Sequence, residues 1–82
     1  MFVAKINVTL KESVLDPQGQ TVLRTLHDQG KNLISDLRVG KYIEMKIDAS
    51  SQADAEISAK EICESLLVNQ VIETYRLVVE KV

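Results

Sequence analysis

Thr9-Leu10-Lys11-Glu12-Ser13-Val14-Leu15-Asp16-Pro17-Gln18-Gly19 joins a run with the period of a strand to the start of a helix. On its N-terminal side, residues 2–10 alternate. Phe2, Ala4, Ile6, Val8 and Leu10 point one way and Lys5, Asn7 and Thr9 the other, the period of a half-buried strand. On its C-terminal side, Asp16 is placed to accept hydrogen bonds from the free amides of a first helical turn. Pro17 follows where a missing N–H costs nothing and a fixed φ suits a helix. The acidic cap also complements the positive end of the helix dipole. Gly19 is out of place in a first turn, where it weakens a helix by roughly 1 kcal/mol relative to alanine. A bare backbone there points to close approach by a neighbour, a partner chain or a ligand. The plainer reading is a well-capped helix with one tolerated glycine.

Outward from this junction, the spacing predicts a helix over residues 17–29, with Val22, Leu23 and Leu26 on one stripe and Gly30 as its stop. Leu33, Ser35, Leu37 and Val39 then alternate until Gly40 breaks the run, and Ile43, Met45 and Ile47 alternate against Tyr42, Glu44, Lys46 and Asp48. Two short strands around a glycine-containing reversal read as a hairpin, its turn either at Gly40 or earlier, near Asp36. Ser50 or Ser51 opens a second helix, and Asp54 makes a near capping box. Its apolar stripe is Ala55, Ala59, Ile62, Cys63 and Leu66, and Asn69 is a candidate left-handed terminator. Residues 71–79 form a last strand, with Val71, Tyr75, Leu77 and Val79 on its apolar face.

The order is β-α-β-β-α-β. Two right-handed crossover units of this kind interleave into a four-stranded antiparallel sheet with both helices on one face. The expected class is therefore α+β, a two-layer ferredoxin-like sandwich spanning 1–82 as one domain. In that arrangement Val3, Ile34, Ile72 and Val78 fall on the uncovered sheet face. With two open strand edges, they favour self-association or a partner.

At 82 residues, such a chain buries about 60–65% of its unfolded surface, enough for two packed layers but poorly suited to a deep cleft. Ten basic residues against twelve acidic ones, a formal charge of −2, give no general attraction to nucleic acid or to an anionic membrane. RNA recognition on this type of sheet needs stacking aromatics, and only Phe2, Tyr42 and Tyr75 are present. Lys5 interrupts the first apolar run, so no signal-peptide core is expected, and no stretch has the apolar length of a membrane span. One cysteine, Cys63, excludes an internal disulfide and fits a reducing, cytoplasmic setting.

Residues for chemistry are few. His27, the one histidine, sits near a helix C-terminus, where an imidazole is favourable without any catalytic role. Cys63 falls between Ile62 and Leu66 on an apolar stripe, where thiols behave as small hydrophobes. One cysteine and one histidine do not make a zinc site, and no phosphate-cradling glycine loop is present. An acyl-phosphate hydrolase would need an anion-cradling loop after the first strand, where residues 11–18 offer one cation. Arg38-Val39-Gly40-Lys41 places two cations around a glycine, able to grip a phosphate or a partner's carboxylate, or simply a solvated strand end. No catalytic and no metal-ligating residue is assigned.

Three stretches together carry a resemblance. Val8-Thr9-Leu10-Lys11 with Val14-Leu15-Asp16-Pro17-Gln18-Gly19 resembles the signature of the PurS family, the small subunit of phosphoribosylformylglycinamidine synthase. Arg38-Val39-Gly40-Lys41 followed by Glu44 is similar to its second block. Glu64-Ser65-Leu66-Leu67-Val68-Asn69, running into Val71-Ile72-Glu73-Thr74-Tyr75, is similar to its third. Gln70 departs from the pattern, which usually has proline there, and so loses local stiffness before the last strand.

The resemblance implies a non-catalytic subunit, inactive alone, in an ATP-dependent ligase of de novo purine synthesis. A large synthetase subunit binds ATP, with Mg, and formylglycinamide ribonucleotide, while a glutaminase subunit releases ammonia from glutamine. The small subunit, a dimer or a dimer of dimers, bridges them without binding a cofactor. Under that reading Lys11, Asp16, Gln18, Arg38 and Lys41 are polar contacts to partner chains, and Gly19 and Gly40 permit close chain approach. The alternative is a small-molecule-binding regulatory module of the same fold, and a stand-alone enzyme ranks third.

Overall fold

The computed structural model, which describes Met1–Val82, centres on the strand β1 (Phe2–Leu10). β2 (Gly40–Ile47) and β3 (Glu73–Lys81) flank it antiparallel, in the sheet order β2-β1-β3. The alternation of β1 runs through the whole sheet by register. Phe2, Ala4 and Ile6 stand opposite Ile47, Met45 and Ile43 on one side, and Ala4 and Ile6 stand opposite Val79 and Leu77 on the other. One face is thus apolar across all three strands. The other pairs Lys5 with Glu44 and Val78, and Asn7 with Tyr42 and Arg76, and carries the 3.2 Å ion pair of Lys5 with Glu80.

Two helices, α1 (Pro17–Asp28) and α2 (Gln52–Ile62), link the strands. α2 is capped by Ser51, whose Oγ accepts the Asp54 amide at 3.2 Å, while the Asp54 carboxylate accepts from Ser50 Oγ. Only half of a capping box is therefore formed. α2 packs on β3 and β1, and it lies close because Ala55, Ala59 and Cys63, all wholly buried, put little bulk beneath it.

Past Ile62 the helix widens into a π-helical turn over Cys63–Leu67, closed by the Val68 amide on the Cys63 carbonyl at 2.9 Å. The wider turn rotates later residues off the predicted stripe. Leu66 is 78% exposed, while Val68 is buried in its place. No residue other than glycine has a positive φ, so Asn69 is not the left-handed terminator expected. Its Oδ1 instead accepts the Val71 amide at 3.1 Å, a local turn that ends the helix by side-chain bonding. Gly30, at φ +83°, does end α1 as expected.

The four-stranded sheet is not formed. Residues 33–39 alternate but pair with no strand, and Leu33 is 99% exposed. Alternation is necessary for a half-buried strand, but pairing also needs a free edge within reach. Here the backbone at Val39 and the side chain of Arg38 are taken by the β1–α1 connection, so the chain runs straight into β2. Gly40 is accordingly the first residue of β2 and not a hairpin turn. The class stays α+β and ferredoxin-like, with three strands in the order β-α-β-α-β. Of the four aliphatics expected on the open face, Val3 and Val78 lie there; Ile34 and Ile72 lie outside the strands.

The largest departure from a layered sandwich is α1, which packs on no other element as α2 does. The molecule measures 51 × 27 × 13 Å. Nine-residue strands account for about 30 Å of that length and α1 for about 18 Å. α1 and the returning residues 29–39 form an arm beyond the end of the sheet.

Candidate functional site

The arm meets the sheet at a corner built from the end of β1, the first turn of α1 and the starts of β2 and β3. Asp16 is its organising residue, buried to 3% exposure. Its Oδ1 accepts the Gly19 amide at 3.0 Å, the helix cap read from the sequence. Its Oδ2 accepts the Val39 amide at 2.8 Å, a bond no local pattern announces. The Val39 and Gly19 amides, with Arg38 nearby, hold the carboxyl below its ordinary value of 3.8.

Arg38 completes the corner from the other side. Its Nη2 donates to the carbonyls of Leu10 at 2.9 Å and Lys11 at 2.8 Å, with Val14 at 3.5 Å. The two N–H groups of this one charged nitrogen serve the Leu10 and Lys11 carbonyls, and the longer Val14 contact shares one of them. Both glycines of the corner are required by crowding within the chain. A Cβ on Gly19 would strike Asp16 Oδ2 and lie 2.7 Å from the Leu37 carbonyl, and one on Gly40 would strike the Val8 carbonyl.

Lys41, Gln18 and Lys11 are the exposed polar side chains of the corner. Lys41 Nζ lies 3.9 Å from Glu73 Oε2, a half-open ion pair of little energetic weight. A cleft of about 320 Å³ lies between them, lined in part by Asp16, Gln18, Gly40, Lys41 and Glu73. All seven residues singled out in the sequence thus gather at one corner. Asp16, Gly19, Arg38 and Gly40 serve its internal construction, and Lys11, Gln18 and Lys41 face outward.

Glu73 was not foreseen. It closes the cleft and also accepts the Asn69 amide at 2.8 Å, and only the register of β3 against β1 brings it beside Lys41. His27 lies far out on the arm, its Nε2 2.7 Å from the Ile34 carbonyl, and ties the return segment to α1. Cys63 is buried against the sheet, where desolvation pushes its thiol upward. No helix is long and apolar enough to cross a membrane.

Residues 3–81 match the PurS family, described as phosphoribosylformylglycinamidine (FGAM) synthase. Phosphoribosylformylglycinamidine synthase subunit PurS of Bacillus subtilis (strain 168) is 50% identical over 82 residues, covering all of this chain and 96% of that protein. The structure of Bacillus subtilis PurS in a C2 crystal form superposes with a TM-score of 0.86 at 49% identity, over 99% of this chain and 100% of that one. A chain of the PurLQS structure from Thermotoga maritima superposes with a TM-score of 0.88 at 34% identity, over 96% of each.

Proposed function

The chain belongs to the PurS family of subunits of phosphoribosylformylglycinamidine synthase, an enzyme of purine biosynthesis, and from that membership we propose that it is the complex's non-catalytic assembly subunit. It bridges the glutaminase and synthetase subunits, so that ammonia released from glutamine reaches formylglycinamide ribonucleotide without escaping to water. ATP and Mg act on the synthetase subunit, and the isolated chain is inactive. It works in the cytoplasm as a homo-oligomer, a dimer or a tetramer, and Lys11, Gln18 and Lys41 contact the larger chains. Asp16, Gly19, Arg38 and Gly40 hold the surface that presents them.

One observation carries this reading. The chain exposes 5897 Å², where a monomer of 9.2 kDa is expected to expose about 4,900 Å². A polypeptide with about 1,000 Å² of surplus surface is built to be covered by other chains. The relative from Thermotoga maritima, seen in a PurLQS structure, supports the heteromeric part.

The test is formation of formylglycinamidine ribonucleotide by purified synthetase and glutaminase subunits, with and without this chain, using glutamine or free ammonia. Glutamine-dependent activity that needs the chain, beside an ammonia reaction that does not, is the expected result. No effect on either would sink the bridging role. In that case a saturable rise in the chain's Tm with a small molecule would support a regulatory module using the 320 Å³ cleft.

A further inference from the structure

We propose that the polar face of the sheet carries a second site, a cradle for the phosphate of a nucleoside monophosphate, formed by Asn7, Thr9, Thr74 and Arg76 with Tyr42 beside it. It shares only Thr9 with the cleft at the corner and does not depend on the bridging role.

Register brings the four side chains together. Asn7 stands opposite Arg76 and Thr9 opposite Thr74, two successive cross-strand pairs on the face away from α2. Opposed Cβ atoms lie about 5 Å apart and same-face neighbours about 7 Å apart, so the four fence a patch with room for one oxyanion. A cleft of about 240 Å³ opens there, lined by these residues and Tyr75.

The patch has its donors to spare. The side-chain hydrogen bonds of the strands use Lys5, Tyr42, Glu44, Glu73, Tyr75 and Glu80, and none of these four. The ion pairs of the chain join Lys5 to Glu80 and Lys41 to Glu73, which leaves Arg76 without a carboxylate. Charge is sorted along the same face. Its two carboxylates, Glu44 and Glu80, stand opposite Lys5 and Val3, toward the other end of β1, and each is already engaged. Arg76 is therefore the charge of the patch.

The donor set selects the ligand. Arg76 offers a fork of N–H groups, and two hydroxyls and an amide add three further donors. A phosphate monoester has three terminal oxygens to accept them, where a carboxylate has two. On the β2 side, Gly40 stands opposite Thr9 and places no side chain over that flank. Next to it Tyr42, opposite Asn7, is 52% exposed, and its hydroxyl donates to Glu44 at 3.0 Å, which keeps the ring on this face. A nucleobase stacks on such a ring, which favours a nucleotide over a plain sugar phosphate.

Amide NMR shifts of the full ¹⁵N-labelled chain test the site, with adenosine monophosphate, inorganic phosphate and adenosine added in turn at about 0.15 M salt. The expected result is saturable movement of the amides of residues 7, 9, 74 and 76 with the nucleotide, weaker movement of the same amides with inorganic phosphate, and none with adenosine. Arg76→Gln is expected to weaken the nucleotide about tenfold, and Thr74→Val to weaken it less. Lys81→Gln, at an exposed cation on the end of β3, should leave it unchanged, and all three variants should keep the native spectrum. Shifts spread over the other exposed cations, equal shifts with adenosine, or unaltered affinity in Arg76→Gln overturn the site. Inorganic phosphate bound as tightly as the nucleotide overturns the place given to Tyr42.

Discussion

The carboxylate of Asp16 accepts the amide of Val39 at 2.8 Å across 23 intervening steps of chain, while its other oxygen caps α1. One side chain therefore fixes where the helix begins, where the arm returns and where β2 starts. The missing fourth strand follows from the same bond, because a chain held at Val39 enters β2 without a hairpin.

Acid should loosen this corner. The folded pKa of Asp16 lies below 3.8, so its carboxylate stabilises the fold at every pH above that value. That contribution is lost as pH falls through the folded pKa. The Tm of the native chain should then drop more steeply below pH 3.8 than that of Asp16→Asn, which starts lower at neutral pH. Parallel acid profiles would show that the carboxylate charge is not what holds the corner.

Gly40→Ala should cost about 1–3 kcal/mol in urea unfolding, because the added methyl meets the backbone carbonyl of Val8 in the neighbouring strand, which cannot swing aside. A stability unchanged within error would mean that β2 can shift its pairing at no cost.

Arg38→Ala and Lys41→Ala should separate construction from contact. Loss of the Arg38 bonds to the half-buried Leu10 carbonyl and the exposed Lys11 carbonyl is expected to lower stability by about 1–2 kcal/mol, since hydrogen bonds from a charged donor are stronger than neutral ones. Lys41→Ala, at an exposed site, should change stability by less than about 0.5 kcal/mol. It should instead weaken co-elution with the synthetase and glutaminase subunits. Unaltered co-elution would remove Lys41 from the contact.

Cys63 should resist iodoacetamide in the folded chain and react at the rate of a free thiol in urea, since it is wholly buried with its pKa raised by desolvation. Cys63→Ala, which leaves a small void between α2 and the sheet, should cost on the order of 1 kcal/mol. Rapid labelling of native protein would show that the π-turn opens readily.

Much of this was written locally. Nine alternating residues determined β1 and the apolar face of the sheet, Asp16-Pro17 determined where α1 starts, and Gly30 determined where it stops, because each depends on neighbours a few residues away. The gathering of Lys11, Asp16, Gln18, Gly19, Arg38, Gly40 and Lys41 in two short stretches was also legible, as was the family resemblance. Tertiary structure alone decided the rest. Residues 33–39 have a strand's alternation but no strand's partner, and Leu66 has a helical stripe's spacing but lies beyond a π-turn. Glu73 reaches Lys41 only through the register of β3 on β1. Periodicity reports which side of a segment is apolar. Whether that side is covered, and by what, depends on contacts between distant residues, which α2 makes with β1 and β3 and α1 does not make.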